Sequence, residues 1–133
     1  MYSKEYELLT KNLNSNNKII NSHSLNVQIQ TVSICNADCF FCPYRDSWHK
    51  NNPGNMTDET YKNIIAGLKG KKIKKFCPYF ENEPLADQKL FERLEYAIEE
   101  LKPEWIEMST NLSLLNDKKL ELSLIHISEP TRL

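Results

Sequence analysis

Residues 25–42 read LNVQIQTVSICNADCFFC, a strand pattern that runs directly into three closely spaced cysteines. Apolar and polar side chains alternate from Leu25 to Thr31, which is the period-two pattern of a β-strand. Cys35, Cys39 and Cys42 then follow with the spacing C-x3-C-x2-C. The stretch therefore predicts a strand that carries a metal-binding loop at its C-terminal end.

The spacing of these cysteines favours an iron–sulfur cluster over zinc. Structural zinc sites usually close four positions with paired C-x2-C or Cys/His ligands. Only Cys77 and His49 are sensible candidates for a fourth ligand, and neither has zinc-finger spacing. Thiolates are the natural ligands of a [4Fe–4S] cluster, and three of them leave one iron open for a substrate or cofactor. A zinc-stabilised binding module and three unrelated neighbouring thiols remain the alternatives.

The composition limits the classes of protein that fit. The chain has 133 residues, enough for one domain, with 17 basic and 18 acidic side chains. Because no basic stripe with interleaved aromatic residues is present, nucleic acid is not implied as a partner. The polar first twenty residues do not resemble a signal peptide, and no apolar run is long enough for a membrane span. Four cysteines without a secretion signal indicate a reducing, cytoplasmic compartment.

The basic run from Lys69 to Lys75 is interpreted as a solvated turn, with an anion-binding patch as the alternative.

Helix and strand patterns alternate along the rest of the chain. The predicted elements are a lead-in helix at 2–13, strands at 25–31, 73–80 and 105–108, helices at 57–69 and 87–101, and a helix that begins near 116. This alternation predicts βαβ units and a parallel sheet. Ligands of such sheets gather at the C-terminal ends of the strands. The cysteine loop, residues 81–83 and residues 109–111 all occupy such positions, so we expect them to share one site.

The cysteine motif C-N-A-D-C-F-F-C resembles that of the radical S-adenosylmethionine (radical SAM) superfamily, and the resemblance covers about Leu25 to Leu115. It implies that Cys35, Cys39 and Cys42 hold a [4Fe–4S] cluster. The amino and carboxylate groups of S-adenosylmethionine would then chelate the fourth iron. The aromatic Phe41, just before the last cysteine, would lie against the adenine.

Two later turns extend this resemblance. Residues 81–85 (ENEPL) resemble the family's Gly-Gly-Glu-Pro-like turn, with Glu81 and Asn82 in place of glycines. The resemblance implies that Glu83 helps to receive the cofactor's ammonium group; the alternative is that Glu83 caps the helix that follows. Ser109 and Asn111 match a Ser/Thr-Asn turn and are implied to contact the ribose or carboxylate of the cofactor.

The fold implied is α/β, a parallel-sheet partial (β/α) barrel of radical SAM type, truncated to about three βα units. The reaction implied begins with one-electron reduction of the cluster by a donor such as flavodoxin or ferredoxin. S-adenosylmethionine is then cleaved to methionine and a 5′-deoxyadenosyl radical, which abstracts hydrogen from a substrate. The turn at 82–85 also resembles subfamilies that modify peptides or proteins. The alternative function is an iron–sulfur electron-transfer or scaffold protein that does not cleave the cofactor.

Three segments are expected along the chain: a polar lead-in at 1–23, the N-terminal half of a radical SAM core domain at 24–121, and a tail at 122–133. The tail sequence LSLIHISEPTR resembles the in-frame translation of a sequencing-library adapter. We therefore expect the tail to be non-native and this short chain to be inactive or weakly active. The alternative is a genuine final strand from Leu122 to Ile127.

Overall fold

The computed structural model describes residues 23–126, with side chains described as far as residue 121. The lead-in helix predicted at 2–13 and the last seven residues of the tail lie outside this range. The strands are β1 (Leu25–Gln28), β2 (Ile73–Cys77) and β3 (Trp105–Ile106). The helices are α1 (Trp48–Asn51), α2 (Asp58–Leu68), α3 (Leu90–Leu101) and α4 (Asp117–His126), with 3-10 turns at Pro43–Asp46 and Pro84–Ala86.

The three strands form one parallel sheet in the order β1-β2-β3, which confirms the predicted α/β architecture. All three strands are shorter than the sequence pattern suggested. β2 stops before Pro78, because proline has no amide hydrogen to donate to a neighbouring strand. The ladder continues by single bonds, from the amide of Ile29 to the carbonyl of Cys77 (2.9 Å) and from the amide of Glu107 to the carbonyl of Phe76 (3.1 Å).

Local capping explains where the helices begin. The hydroxyl of Thr57 accepts a hydrogen bond from the amide of Thr60 at 3.1 Å, so α2 starts where predicted. α3 begins at Leu90 instead of the predicted Asp87, because a 3-10 turn occupies residues 84–86 and the Asp87 side chain accepts from the amide of Lys89. The side chain of Asn116 caps α4. Since α4 is helical through His126, the alternative of a strand from Leu122 is wrong for these residues.

The apolar core joins the sheet to helices α2 and α3. Phe76 in β2 and Ile65 in α2 are completely buried. The core cluster also includes Ile29, Tyr61, Ile73, Leu85, Leu90, Leu94, Ala97 and Leu101. Cys77 is only 1% exposed, and this burial raises the pKa of its thiol. It therefore has the surroundings of a small apolar core residue, as its position in the strand suggested.

A buried ion pair crosses this core, and the sequence pattern did not reveal it. Arg93 lies on the buried side of α3 and donates to Asp87 at 2.8 Å and to the carbonyl of Met56 at 2.7 Å. The hydroxyl of Thr31 donates to the same carboxylate oxygen of Asp87 at 2.6 Å. The charged pair therefore ties the segment after β1 to the start of α2 and to α3. Such pairs are strongly sensitive to the loss of one partner.

The basic run at 69–75 forms ion pairs with the elements that surround it. Three of its lysines pair with carboxylates near the end of α3 and along β3: Lys69 with Glu100, Lys72 with Glu104, and Lys75 with Glu107. Their charges are therefore matched within the chain. No helix among residues 23–126 combines the length and apolarity needed to cross a membrane.

Candidate functional site

The cysteine loop leaves the sheet at the C-terminal end of β1 through a narrow neck. The amide of Ser33 donates to the carbonyl of Gly54 at 2.9 Å, and the amide of Met56 donates to the carbonyl of Thr31 at 2.7 Å. The hydroxyl of Ser33 also accepts from the amide of Gly54 at 2.7 Å. Residues 34–53, the cysteine loop, therefore form a loop whose two ends are joined by hydrogen bonds. This neck fixes the loop at the edge where parallel sheets bind ligands.

Within this loop the three cysteines are free thiols. Cys39 is exposed, whereas Cys35 and Cys42 are partly buried. A tight turn joins the amide of Cys42 to the carbonyl of Cys39 at 3.0 Å. The next 3-10 turn buries Tyr44, whose hydroxyl lies 3.4 Å from the carbonyl of Ser33 and donates to it. Both ends of the cysteine segment are thus attached to the neck.

The donor set, three thiols on one loop, suits an iron–sulfur cluster in its chemistry. Among residues 23–121, whose side chains the structure describes, no three His, Cys, Asp or Glu side chains are grouped closely enough to hold one ion. A zinc ion draws its thiolates to a common centre at about 2.3 Å. The ligands of a cubane instead bind three separate irons. Three soft thiols on one loop suit that arrangement. Cys77, a candidate fourth zinc ligand, is held in the core.

Glu83 lies beside the start of the cysteine loop, because its amide donates to the carbonyl of Ile34 at 2.9 Å. Its side chain is 2% exposed and accepts three hydrogen bonds. The donors are the amide of Leu85 (3.0 Å), the amide of Asn111 (2.9 Å) and the hydroxyl of Thr110. Glu83 therefore caps the 3-10 turn at Pro84–Ala86, which precedes α3, and does not cap α3 itself. A carboxylate has about four acceptor positions, and three are occupied here, so one remains for an ammonium group. That contact stays a prediction.

Asn111 belongs to a ring of side chains that reaches the cysteine loop. Its amide nitrogen donates to the side-chain oxygen of Asn36 at 3.0 Å. The amide nitrogen of Asn36 donates to the hydroxyl of Ser113 at 2.7 Å, and that hydroxyl donates to the side-chain oxygen of Asn111 at 2.7 Å. The sequence pattern does not distinguish Asn36 and Ser113 from ordinary loop residues; Asn36 follows Cys35, and Ser113 lies two positions after Asn111.

The other two predicted cofactor contacts, Ser109 and Phe41, are exposed to solvent. The hydroxyl of Ser109 donates to the hydroxyl of Tyr79 at 3.1 Å, and Ser109 does not join the ring of Asn111. Phe41 is 77% exposed and packs edge-to-face with Phe40, with ring centroids 5.4 Å apart. An exposed aromatic face suits a planar ligand. The contact of Phe41 with adenine and the role of Ser109 both stay predictions.

The two residues that depart from glycine in the 81–85 turn have structural partners. The amide of Glu81 donates to the side chain of Gln30 at 3.0 Å, and the side chain of Asn82 accepts from the amide of Phe80 at 3.0 Å. The side-chain nitrogen of Asn82 is buried and has no hydrogen-bond partner within residues 23–126. On the far side of the turn, the ammonium of Lys119 donates to the carbonyl of Leu85 at 2.8 Å. The turn is therefore fixed from the segment after β1 and from α4.

Comparison with known proteins places this geometry in context. The family model described as the Radical SAM superfamily matches residues 29–124. The structure described as the crystal structure of BtrN in complex with AdoMet and 2-DOIA is similar, with a TM-score of 0.64 and 23% sequence identity. The match covers 77% of this chain and 42% of that one, so at this identity it shows a shared fold over less than half of BtrN. No curated protein matches the chain.

Proposed function

The chain belongs to the radical SAM superfamily, and from that premise we propose that residues 24–121 bind a [4Fe–4S] cluster and S-adenosylmethionine at the C-terminal edge of the sheet. The observation that carries the proposal is the junction of three turns there. The amide of Glu83 donates to the backbone at the start of the cysteine loop, and its carboxylate accepts from the turn after β3 (residues 109–113). Asn36 and Asn111 join those two turns a second time.

In this proposal each side chain has a limited task. Cys35, Cys39 and Cys42 hold three irons as thiolates. Phe41 offers a face to the adenine, and Ser109 and Asn111 present polar groups to the ribose or carboxylate. When bound, the cluster and S-adenosylmethionine supply one-electron chemistry, namely reductive cleavage of the cofactor and abstraction of hydrogen from a substrate.

Glu83 has a different part, because its carboxylate is buried and already shared between two turns. Its negative charge favours the cofactor's ammonium group nearby. Its hydrogen bonds keep the turn after β3 in place before any cofactor arrives. The proposed partners are a one-electron donor of the flavodoxin or ferredoxin type and a substrate whose class includes peptides or proteins, the latter by resemblance of the 82–85 turn alone.

The first experiment identifies the metal. Anaerobic reconstitution of the chain with iron and sulfide is expected to give about four irons and four sulfides per chain with charge-transfer absorption in the visible range. Cys39→Ala is expected to lose this absorption. Cys77→Ala is the matched control, because Cys77 is a core residue outside the loop, and it is expected to retain the cluster. Stoichiometric zinc without visible absorption would contradict the proposal.

The second experiment separates the proposed enzyme from an iron–sulfur electron carrier. S-adenosylmethionine is added to the reconstituted chain, and the electron paramagnetic resonance spectrum of the dithionite-reduced cluster is recorded. A cofactor that chelates the open iron is expected to change the spectrum, whereas this short chain is expected to form little or no 5′-deoxyadenosine. An electron carrier has no need of a nucleoside site. A spectrum unchanged by the cofactor would therefore favour that alternative.

A further inference from the structure

The ring formed by Asn36, Ser113 and Asn111 is closed in hydrogen-bonding terms. Each member donates one side-chain bond to the next and accepts one from the previous, at 2.7, 2.7 and 3.0 Å. Asn36 directly follows Cys35, whereas the other two members lie about 75 positions later in the chain. The ring is the side-chain connection between the cysteine loop and the turn after β3.

Closing the ring also fixes the side chain of Asn111. Its oxygen accepts from both the amide (3.0 Å) and the hydroxyl of Ser113, while its nitrogen donates to Asn36. An asparagine amide carries two hydrogens, so one donor of Asn111 remains for a ligand. The direction of that donor is set by Asn36 and Ser113, because together they hold both ends of the amide.

A second, independent attachment holds the same turn from the buried side. Glu83 accepts from the backbone amide of Asn111 and from the hydroxyl of Thr110. This contact fixes the backbone of the turn but does not reach the side chains of the cysteine loop. The exposed ring adds a contact that Glu83 does not make: it fixes the position of the Asn111 side chain relative to Asn36, the residue after Cys35.

We propose that Asn36 and Ser113 are positioning residues that lock the cysteine loop to the turn after β3, so that the cluster and the cofactor's polar groups are held in one fixed relation. This inference rests on the proposed function. Neither residue contacts the cluster in this account; both act through Asn111. Removal of either residue opens the whole ring, since a ring of three loses its closure with any one bond.

The test is a double-mutant cycle on the reconstituted 133-residue chain. Asn36→Ala and Ser113→Ala are expected to weaken S-adenosylmethionine binding by about three- to tenfold each, as one lost hydrogen bond of ordinary net strength requires. The readout is the spectral titration of the reduced cluster, with iron content unchanged. The double variant is expected to match either single variant, because the two substitutions break the same ring. Ser113→Thr keeps the hydroxyl and is expected to restore binding.

Asn52→Ala is the matched control. It removes another exposed asparagine, whose side-chain nitrogen donates to the carbonyl of Trp48 at 3.0 Å, and it is expected to bind the cofactor as the wild type does. The proposed positioning role would be overturned if Asn36→Ala bound S-adenosylmethionine with wild-type affinity. It would also be overturned if the losses of binding free energy in the two alanine variants added in the double variant.

A cluster-independent measurement keeps this test separate from the proposed function. In the metal-free chain, hydrogen exchange at the amide of Ser113 reports the ring, since that amide is bonded to Asn111. Asn36→Ala is expected to speed this exchange by about tenfold, and Asn52→Ala to leave it unchanged. If the wild-type chain takes up no cluster or ignores the cofactor, the proposed function fails, and the exchange rates alone decide the lock. Equal rates in Asn36→Ala and wild type would overturn it.

Discussion

Glu83→Gln tests whether one buried carboxylate holds the site together. The substitution keeps the size of the side chain but replaces one oxygen with an NH2 group and removes the charge. In the structure one oxygen of Glu83 accepts from the amide of Leu85 and the hydroxyl of Thr110, and the other accepts from the amide of Asn111. Glutamine has one oxygen for these three donors.

The size of the effect follows from the two orientations of the new amide. If its oxygen keeps the bonds from Leu85 and Thr110, its NH2 group faces the amide of Asn111, and two donors oppose each other. In the reverse orientation the amide of Leu85 loses its acceptor, whereas the hydroxyl of Thr110 can turn to accept from the NH2 group. One buried donor left without an acceptor costs about 1–3 kcal/mol. For a domain of roughly 100 residues, a loss of about 2 kcal/mol lowers the melting temperature by roughly 10 °C.

The assay is thermal unfolding of the chain followed by circular dichroism. Glu81→Gln is the matched control, because it makes the same chemical change two residues away, at a carboxylate that takes no part in these three bonds. We expect it to melt within a few degrees of the wild type, as a partly exposed substitution of less than about 0.5 kcal/mol does. Equal melting temperatures for Glu83→Gln, Glu81→Gln and wild type would refute the structural role of Glu83.

Three further predictions concern the frame around the site. Arg93→Met is expected to destabilise the chain by about 3–5 kcal/mol in urea unfolding, because it leaves the buried carboxylate of Asp87 without its cation. The control Lys89→Met breaks an exposed ion pair and is expected to cost at most about 1 kcal/mol. Equal costs for the two variants would contradict the prediction. Hydrogen bonds from Lys89 and Arg93 hold the pKa of Asp58 below its usual 3.8, so its stabilisation is present above about pH 4 and is lost as the pH falls through the lowered pKa. Asp58→Asn is therefore expected to be less stable than wild type at pH 7 and equally stable below that pKa; a difference that persists at the lowest pH would point to another cause. In the metal-free chain, iodoacetamide is expected to modify the exposed Cys39 first and to reach Cys77 only on unfolding, as peptide mass spectrometry would show, because burial raises the pKa of the Cys77 thiol.

Periodicity and capping signals predicted the order and type of the three strands and of α2, α3 and α4, but not the short helix α1 or the two 3-10 turns. The polar turn at 69–72 and the Thr57 cap delimit α2, and alternation of helix and strand patterns predicted the parallel sheet. The strand ends were predicted less well. A strand ends where its neighbour no longer offers hydrogen-bond partners, and the end of β1 therefore depends on Pro78, directly after β2, as much as on the sequence of β1. Periodicity along one segment contains no such information.

The buried charges of the core escaped sequence reasoning for a related reason. Arg93 shares the buried face of α3 with Leu90, Leu94 and Ala97, and a helical pattern alone treats a charged residue there as an interruption. Its burial is tolerated because Asp87 and the carbonyl of Met56 supply acceptors. Those acceptors come from two separate segments. Only the folded chain brings them together.

The candidate site combines both situations. The cysteines and the turns at Glu83 and Asn111 were predicted because chemistry and position at the strand ends agree. The bonds among them were not, since Asn36, Thr110 and Ser113 are ordinary loop residues in the sequence. Yet these bonds decide how Glu83 acts. A carboxylate that accepts three protein donors fixes the turn after β3. Under the proposed function, its charge would act on the cofactor from a position that is set before binding. In this chain, preorganisation of the site therefore depends as much on the residues that hold the turns as on those expected to touch the cofactor.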